Sequence, residues 1–206
     1  MKDEELKITD LIEKETLQKI QNAFSGLTGM AALITDDMGN PVTEGTNFCD
    51  FCTKYTRASK EGAIRCQICD KKGVQAALEE GEPSIYTCHA GLTDYAAPVM
   101  ANGKIIGGFM GGQVLSSEPD EEKIRQIAEE LSIDPDEYLR AAKKIRVIPQ
   151  IQIDQASEIL FLITNVLSDM ADGEYNAIRA RKEIENAANM KTAFLANMSH
   201  EIRTPM

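Results

Sequence analysis

The 206-residue sequence predicts an α/β protein: an antiparallel sheet flanked by helices, followed by one long C-terminal helix of coiled-coil type. Three observations carry this. Short apolar runs bounded by turn residues lie between residues 31 and 115. Amphipathic segments flank them on both sides. From about residue 153 the pattern becomes a heptad, with no proline between Pro149 and Pro205.

Composition sets the limits. An apolar fraction of 43% with 27% charged residues is globular and excludes wholesale disorder. The length allows one to two domains and a core that needs no disulfide staple. A net charge of −11 argues against nucleic acid as a partner, because phosphate binders carry clustered Lys and Arg.

The elements follow in order. Leu11, Ile12, Leu17, Ile20 and Phe24 recur at helical spacing, so residues 9–24 read as a helix, with Thr9 or Asp10 as cap and Gly26 and Gly29 at its end. Residues 31–35 are a short apolar run. Asp36-Asp37-Met38-Gly39-Asn40-Pro41 then turns the chain, and Val42 starts a return strand, making a hairpin. Residues 73–80 are helical. Residues 84–88 and 94–100 read as strands, Asn102-Gly103 is a hairpin dipeptide, and residues 104–115 form the next strand. Four glycines in that strand, Gly107, Gly108, Gly111 and Gly112, imply bulges or close approach of another group. Residues 119–131 and 135–144 are short helices, each begun by a proline.

The last segment is different. Ile163, Leu167, Met170, Ala177, Ile184, Ala188, Leu195, Met198 and Ile202 fall on one seam, interrupted by Glu174, Arg181 and Lys191. About 45 helical residues extend ~65 Å, more than one small domain covers. The expectation is a homodimer through this helix, with a single amphipathic helix packed on its own domain as the alternative. The resulting division is a mixed α/β domain over 1–150, a coiled-coil linker over 151–188, and a final segment over 189–206.

The N-terminus MKDEELKITD has no basic or apolar targeting region, and the longest apolar run, Ile159 to Ile163, is far below the ~18 residues of a membrane helix. The expectation is a cytoplasmic protein without a membrane span. Five cysteines then read as metal or redox ligands and not as a disulfide framework.

Cys49-x-x-Cys52 and Cys66-x-x-Cys69 are two pairs whose spacing suits tetrahedral thiolate ligation of zinc; an iron–sulfur cluster would use the same four sulfurs. Residues 47–72 carry six bases and three acids, and basic neighbours favour thiolates. Buried reduced thiols and a redox disulfide are the other readings. Cys88-His89, at a strand end, could bind a metal or a polar ligand. Residues 1–150 hold no phosphate loop, no Ser/His/Asp set and no HExxH.

Two resemblances extend this. Residues 88–99 (CHAGLTDYAAPV), with Asn102-Gly103-Lys104-Ile105-Ile106-Gly107-Gly108 and Gly111-Gly112-Gln113-Val114, resemble the PocR sensory domain; Phe51-Cys52, Arg65-Cys66, Asp70 and Gly73 also fit. The resemblance covers about residues 10–150. It implies a PAS-like α/β fold that binds a small organic ligand, such as a simple alcohol or hydrocarbon derivative, with Cys88, His89, Asp94 and Tyr95 as ligand-binding residues. The family pattern fits Cys52, Cys66, Cys88 and His89 better than two paired CxxC units, so three thiolates and one imidazole stand beside the four-thiolate set.

Residues 194–206 (FLANMSHEIRTPM) are similar to the H-box of sensor histidine kinases. That resemblance implies His200 as phosphoacceptor, Glu201 as the neighbour that orients it and takes its proton, and Thr204 as a residue that positions water for dephosphorylation. It implies a homodimeric protein histidine kinase of a two-component system, with a response regulator as partner. ATP would enter only through a kinase domain outside these residues, so this segment should be inactive alone. The alternative function is a zinc- or redox-sensing cysteine-rich module without an organic ligand.

Overall fold

The computed structural model describes residues 6–202. Four strands, β1 (Ala31–Asp36), β2 (Ser84–Thr87), β3 (Thr93–Ala101) and β4 (Lys104–Val114), form an antiparallel sheet in the order β1-β4-β3-β2. Asn102 and Gly103, both at positive φ (51° and 71°), make the tight turn between β3 and β4 that the dipeptide predicts.

The expected return strand after β1 does not form. Only isolated bridges tie residues 41 and 46 back to β1. Backbone bonds still join the two segments: Ala32 and Thr46 exchange a pair at 3.0 Å each, and the Asp36 N–H donates to Asn40 O at 2.9 Å. Between them the ladder is interrupted, because the Ile34 N–H donates to Gln21 Oε1 and Thr43 Oγ1, each at 3.0 Å, and not to a backbone carbonyl.

Helices cover both faces. On one lie α1 (Ile8–Leu11), α2 (Lys14–Thr28) and the start of α6 (Gln150–Ile202). The single helix expected over 9–24 is broken at Ile12, whose backbone is extended, and α2 ends on Gly29 in the left-handed region. The core here joins Leu17, Phe24, Ile34, Val99, Phe109, Ile153, Leu160 and Leu167.

The other face holds α3 (Lys60–Glu80), capped by Ser59, whose hydroxyl accepts from Gly62 N–H at 2.9 Å. This helix begins thirteen residues before the expected 73–80 segment. Its buried stripe, Gly62, Cys66, Asp70, Gly73, Val74 and Ala77, has helical period but is small or polar in its first half, so apolar periodicity did not reveal it. Val74 packs so tightly on Gly108 that a Cβ there would collide with it, which accounts for one of the four β4 glycines.

A third cluster closes one end. A short π-helix (Phe51–Thr56) packs on α4 (Glu121–Glu130) and α5 (Pro135–Ala142). Phe51 stacks on Tyr138 with centroids 4.2 Å apart, and Thr56 bonds the Tyr138 hydroxyl at 2.8 Å.

The long helix α6 is continuous for 53 residues, about 80 Å. Its first third belongs to the domain: Ile153, Ala156, Leu160, Leu167 and Ala171 are buried against the sheet. Ser168 Oγ accepts from Met100 N–H at 2.8 Å, and Asp172 Oδ1 from Asn102 N–H at 2.6 Å. The sheet-packed unit therefore reaches Asp172, beyond the expected boundary at residue 150. Leu167, expected on the coil seam, is buried against the chain's own sheet. Farther along, Ile184, Met190 and Phe194 are 71%, 73% and 63% exposed. No helix among the described residues is long and apolar enough to cross a membrane.

Candidate functional site

The sheet, α3 and the π-helix region line a half-open pocket of about 30 Å³. β1 supplies Ala31, Ala32 and Leu33, and β4 supplies Met110 and the Gly111-Gly112-Gln113 run. Its polar wall is Arg57, Asp70, Tyr86 and Asp94.

Asp94 sits at a break in the ladder. Thr93 pairs with Val114 but Tyr95 pairs with Gly111, so Gly112 and Gln113 bulge opposite it. Gly112 has φ 136°, and Gln113, which is not glycine, has φ 55°. A Cβ at Gly112 would lie 2.5 Å from Asp94 Oδ1. Strained bulges of this kind re-aim groups at functional sites. Here the bulge turns the Gln113 N–H onto Asp94 Oδ1 at 2.7 Å, while Gln113 Oε1 accepts from Cys49 N–H at 3.0 Å. Burial pushes the Asp94 carboxyl up to about 7, against the Gln113 bond that favours its charged form; nearby Asp70 raises it further.

Asp70 is buried on α3 and accepts from Arg57 at 3.1 Å. Loss of water still raises its pKa, outweighing the guanidinium. Arg57 also lies over the Phe48 ring, 5.3 Å from its centroid. The Tyr86 hydroxyl is buried without a protein partner, and burial keeps it a neutral phenol. Orphaned buried polar atoms are rare, and one that faces a cavity is a ready contact for a bound group. The cavity thus presents a cation, two carboxyls and a free phenol against apolar walls.

Tyr95, expected beside Asp94, is on the other face. Alternation along β3 sends its side chain into the core, where its hydroxyl meets Met30 Sδ at 3.2 Å. Arg57 and Tyr86 were not among the residues expected from sequence, and Gln113 entered only through the family pattern. Asp70 was visible only through the family pattern, and the +3 charge around the cysteines was the one local hint of Arg57.

The cysteines line the cavity's flank, each with its own partner. Cys66 Sγ lies 3.3 Å from His89 Nε2. Burial pushes this thiol up to about 12, while burial and then Arg65 and Arg57 push the imidazole down, so the pair is a neutral thiol and a neutral ring. His89 Nδ1 is buried without a partner. Cys69 accepts the His89 backbone N–H, and Cys88 hydrogen-bonds to Asp94. Cys49 and Cys52 bond to each other; that contact brings Cys49 down to about 7 and pushes Cys52 well up.

The sulfurs do not converge. Among the described residues no group of three or more His, Cys, Asp or Glu is placed to hold one metal ion. Cys66 and Cys69 stand within a rigid helix that turns them toward His89, while Cys49 and Cys52 face one another. Neither Cys49, Cys52, Cys66 and Cys69 nor the set with Cys88 and His89 forms a metal cradle in this arrangement. His200 and Glu201 lie on α6, and Thr204 lies outside the described residues.

A small antiparallel sheet with a half-open polar cavity, covered by helices on both faces, defines an α/β domain built around a pocket. Residues 10–172 match the family described as the sensory domain found in PocR, and the chain belongs to that family. It is 29% identical over 153 residues to the regulatory protein PocR of Salmonella typhimurium, a match spanning 74% of this chain and 50% of that protein. The chain thus aligns with about half the length of this relative. The family limit at residue 172 falls on Asp172, the α6 residue whose carboxylate accepts from Asn102 N–H at the β3–β4 turn.

Proposed function

We propose that the chain is the sensory and phosphoacceptor portion of a two-component histidine kinase. A small organic ligand, a simple alcohol or hydrocarbon derivative, occupies the cavity beside Asp94. Its binding sets the rate at which a kinase domain outside these residues phosphorylates His200 from ATP, for transfer to a response regulator. The observation that carries this reading is continuity: α6 runs without a break from the sheet-packed Ile153 to Ile202, into the H-box-like sequence. Ser168 and Asp172 fix the β3–β4 hairpin to that same helix, so a change at the Asp94 end of β3 has a solid route to it.

The roles follow from the chemistry. The His200 ring attacks the γ-phosphorus in line, the bond to the leaving nucleoside diphosphate breaks, and Glu201 takes the ring proton. The apolar seam beyond residue 172 is covered by a second copy, which makes the protein a dimer. His200→Gln in a full-length protein should abolish the acid-labile phosphohistidine formed from ATP. Retention of that signal overturns the reading.

A further inference from the structure

We infer that Cys49 and Cys52 are a reactive dithiol that closes reversibly to a disulfide, a redox-responsive modification site on the flank of the cavity. This is independent of the kinase reading. All five cysteines are free thiols, but their surroundings differ. Cys66 faces an imidazole, Cys69 a backbone N–H and Cys88 a carboxyl. Cys49 and Cys52 stand one helical turn apart, Cys49 two residues before the π-helix and Cys52 in its first turn, facing one another.

Local geometry places them so. Cys49 lies two residues before the π-helix, and its carbonyl accepts from Cys52 N–H at 3.1 Å and from Thr53 N–H at 3.0 Å. The first turn therefore stacks residue 52 over residue 49, the spacing at which two sulfurs meet without backbone rearrangement. The pair is also asymmetric in exposure. Cys49 is half-buried and reachable, while Cys52 is 5% exposed and rests in the Phe51–Leu92 cluster. An accessible sulfur backed by a protected one is the arrangement of an attacking and a resolving thiol.

The oxidant is a hydroperoxide. The Cys49 sulfur attacks one peroxide oxygen, the O–O bond breaks, and the second oxygen leaves as water with the thiol proton. Cys49 is then a sulfenic acid. The Cys52 sulfur attacks it, the S–O bond breaks, hydroxide departs as water with the Cys52 proton, and the S–S bond forms. Two thiols lose two electrons and one hydrogen peroxide becomes two waters. A dithiol reductant reverses the bond by exchange. The Cys49 N–H holds Gln113, and Gln113 holds Asp94, so the new bond acts on the bulge that shapes the cavity.

The test uses the whole chain, reduced without oxygen and then given one equivalent of hydrogen peroxide. Tryptic residues 20–54 contain Cys49 and Cys52 and no other cysteine. After oxidation this peptide should be two hydrogen masses lighter, with alkylation of both thiols reduced about tenfold or more, and dithiothreitol should restore both. Cys69→Ser should behave as wild type, whereas Cys49→Ser should lose the closure. The wild-type map decides the matter even if a variant fails to fold. Full alkylation of Cys49 and Cys52 after peroxide, or a bridge to Cys66, Cys69 or Cys88, overturns the inference.

Discussion

Asp94→Asn isolates the cost of enclosing a carboxyl between the sheet and α3. The substitution keeps the shape and the Oδ1 acceptor for Gln113 N–H and removes the titrating group. Burial lifts the Asp94 carboxyl from 3.8 to about 7; at ~1.4 kcal/mol per pH unit that is an upper figure of about 4 kcal/mol. The sign is fixed by linkage. Between the unfolded and folded values the folded state holds the extra proton, so wild-type stability is full below about pH 4 and falls as pH rises toward 7. Asparagine carries no such loss. Urea unfolding of both proteins from pH 4 to 8 should therefore show the variant gaining on wild type by about 1 kcal/mol per pH unit and levelling off above 7. A difference that is flat with pH, or that moves in favour of wild type at high pH, would refute the burial argument and with it the placement of Asp94 in the cavity wall.

Two other substitutions probe the frame around the site. Gly112→Ala should cost about 2–4 kcal/mol, because its Cβ would press on Asp94 at φ 136°. Gly81→Ala, also left-handed but with open space around it, should cost only about 1 kcal/mol; equal losses in chemical denaturation would deny the close approach. Ile184→Asp should raise the dimer dissociation constant about a hundredfold while leaving the unfolding midpoint of the sheet domain unchanged. Sedimentation that shows no change in association would remove α6 as the dimer seam.

Much of the secondary structure was legible because it rests on local rules. Alternating apolar runs gave β2 and β3, Asn102-Gly103 gave their hairpin to β4, and the prolines placed α4 and α5 to within a few residues. The β4 glycines announced a close approach before Val74 and Asp94 could be seen to make it. What failed did so for nameable reasons. The first half of α3 hides because its buried face is glycine, cysteine and aspartate. The return segment after β1 pairs only at isolated bridges because Gln21 and Thr43 take the Ile34 N–H between them.

The sequence by itself determined the class of fold, the family and the presence of a long terminal helix, since each is written in patterns that span a few residues or a whole motif. Tertiary structure alone decided the site. Asp94 and Tyr95 are neighbours in the chain, yet the pleat sends one to the cavity and the other into the core. Arg57, Asp70 and Tyr86 come from three separate elements and meet only when α3 lies down on the sheet. The same packing draws the first third of α6 into the sensor, because the face carrying Ile153, Leu160 and Leu167 is buried more favourably against β3 and β4 than in water.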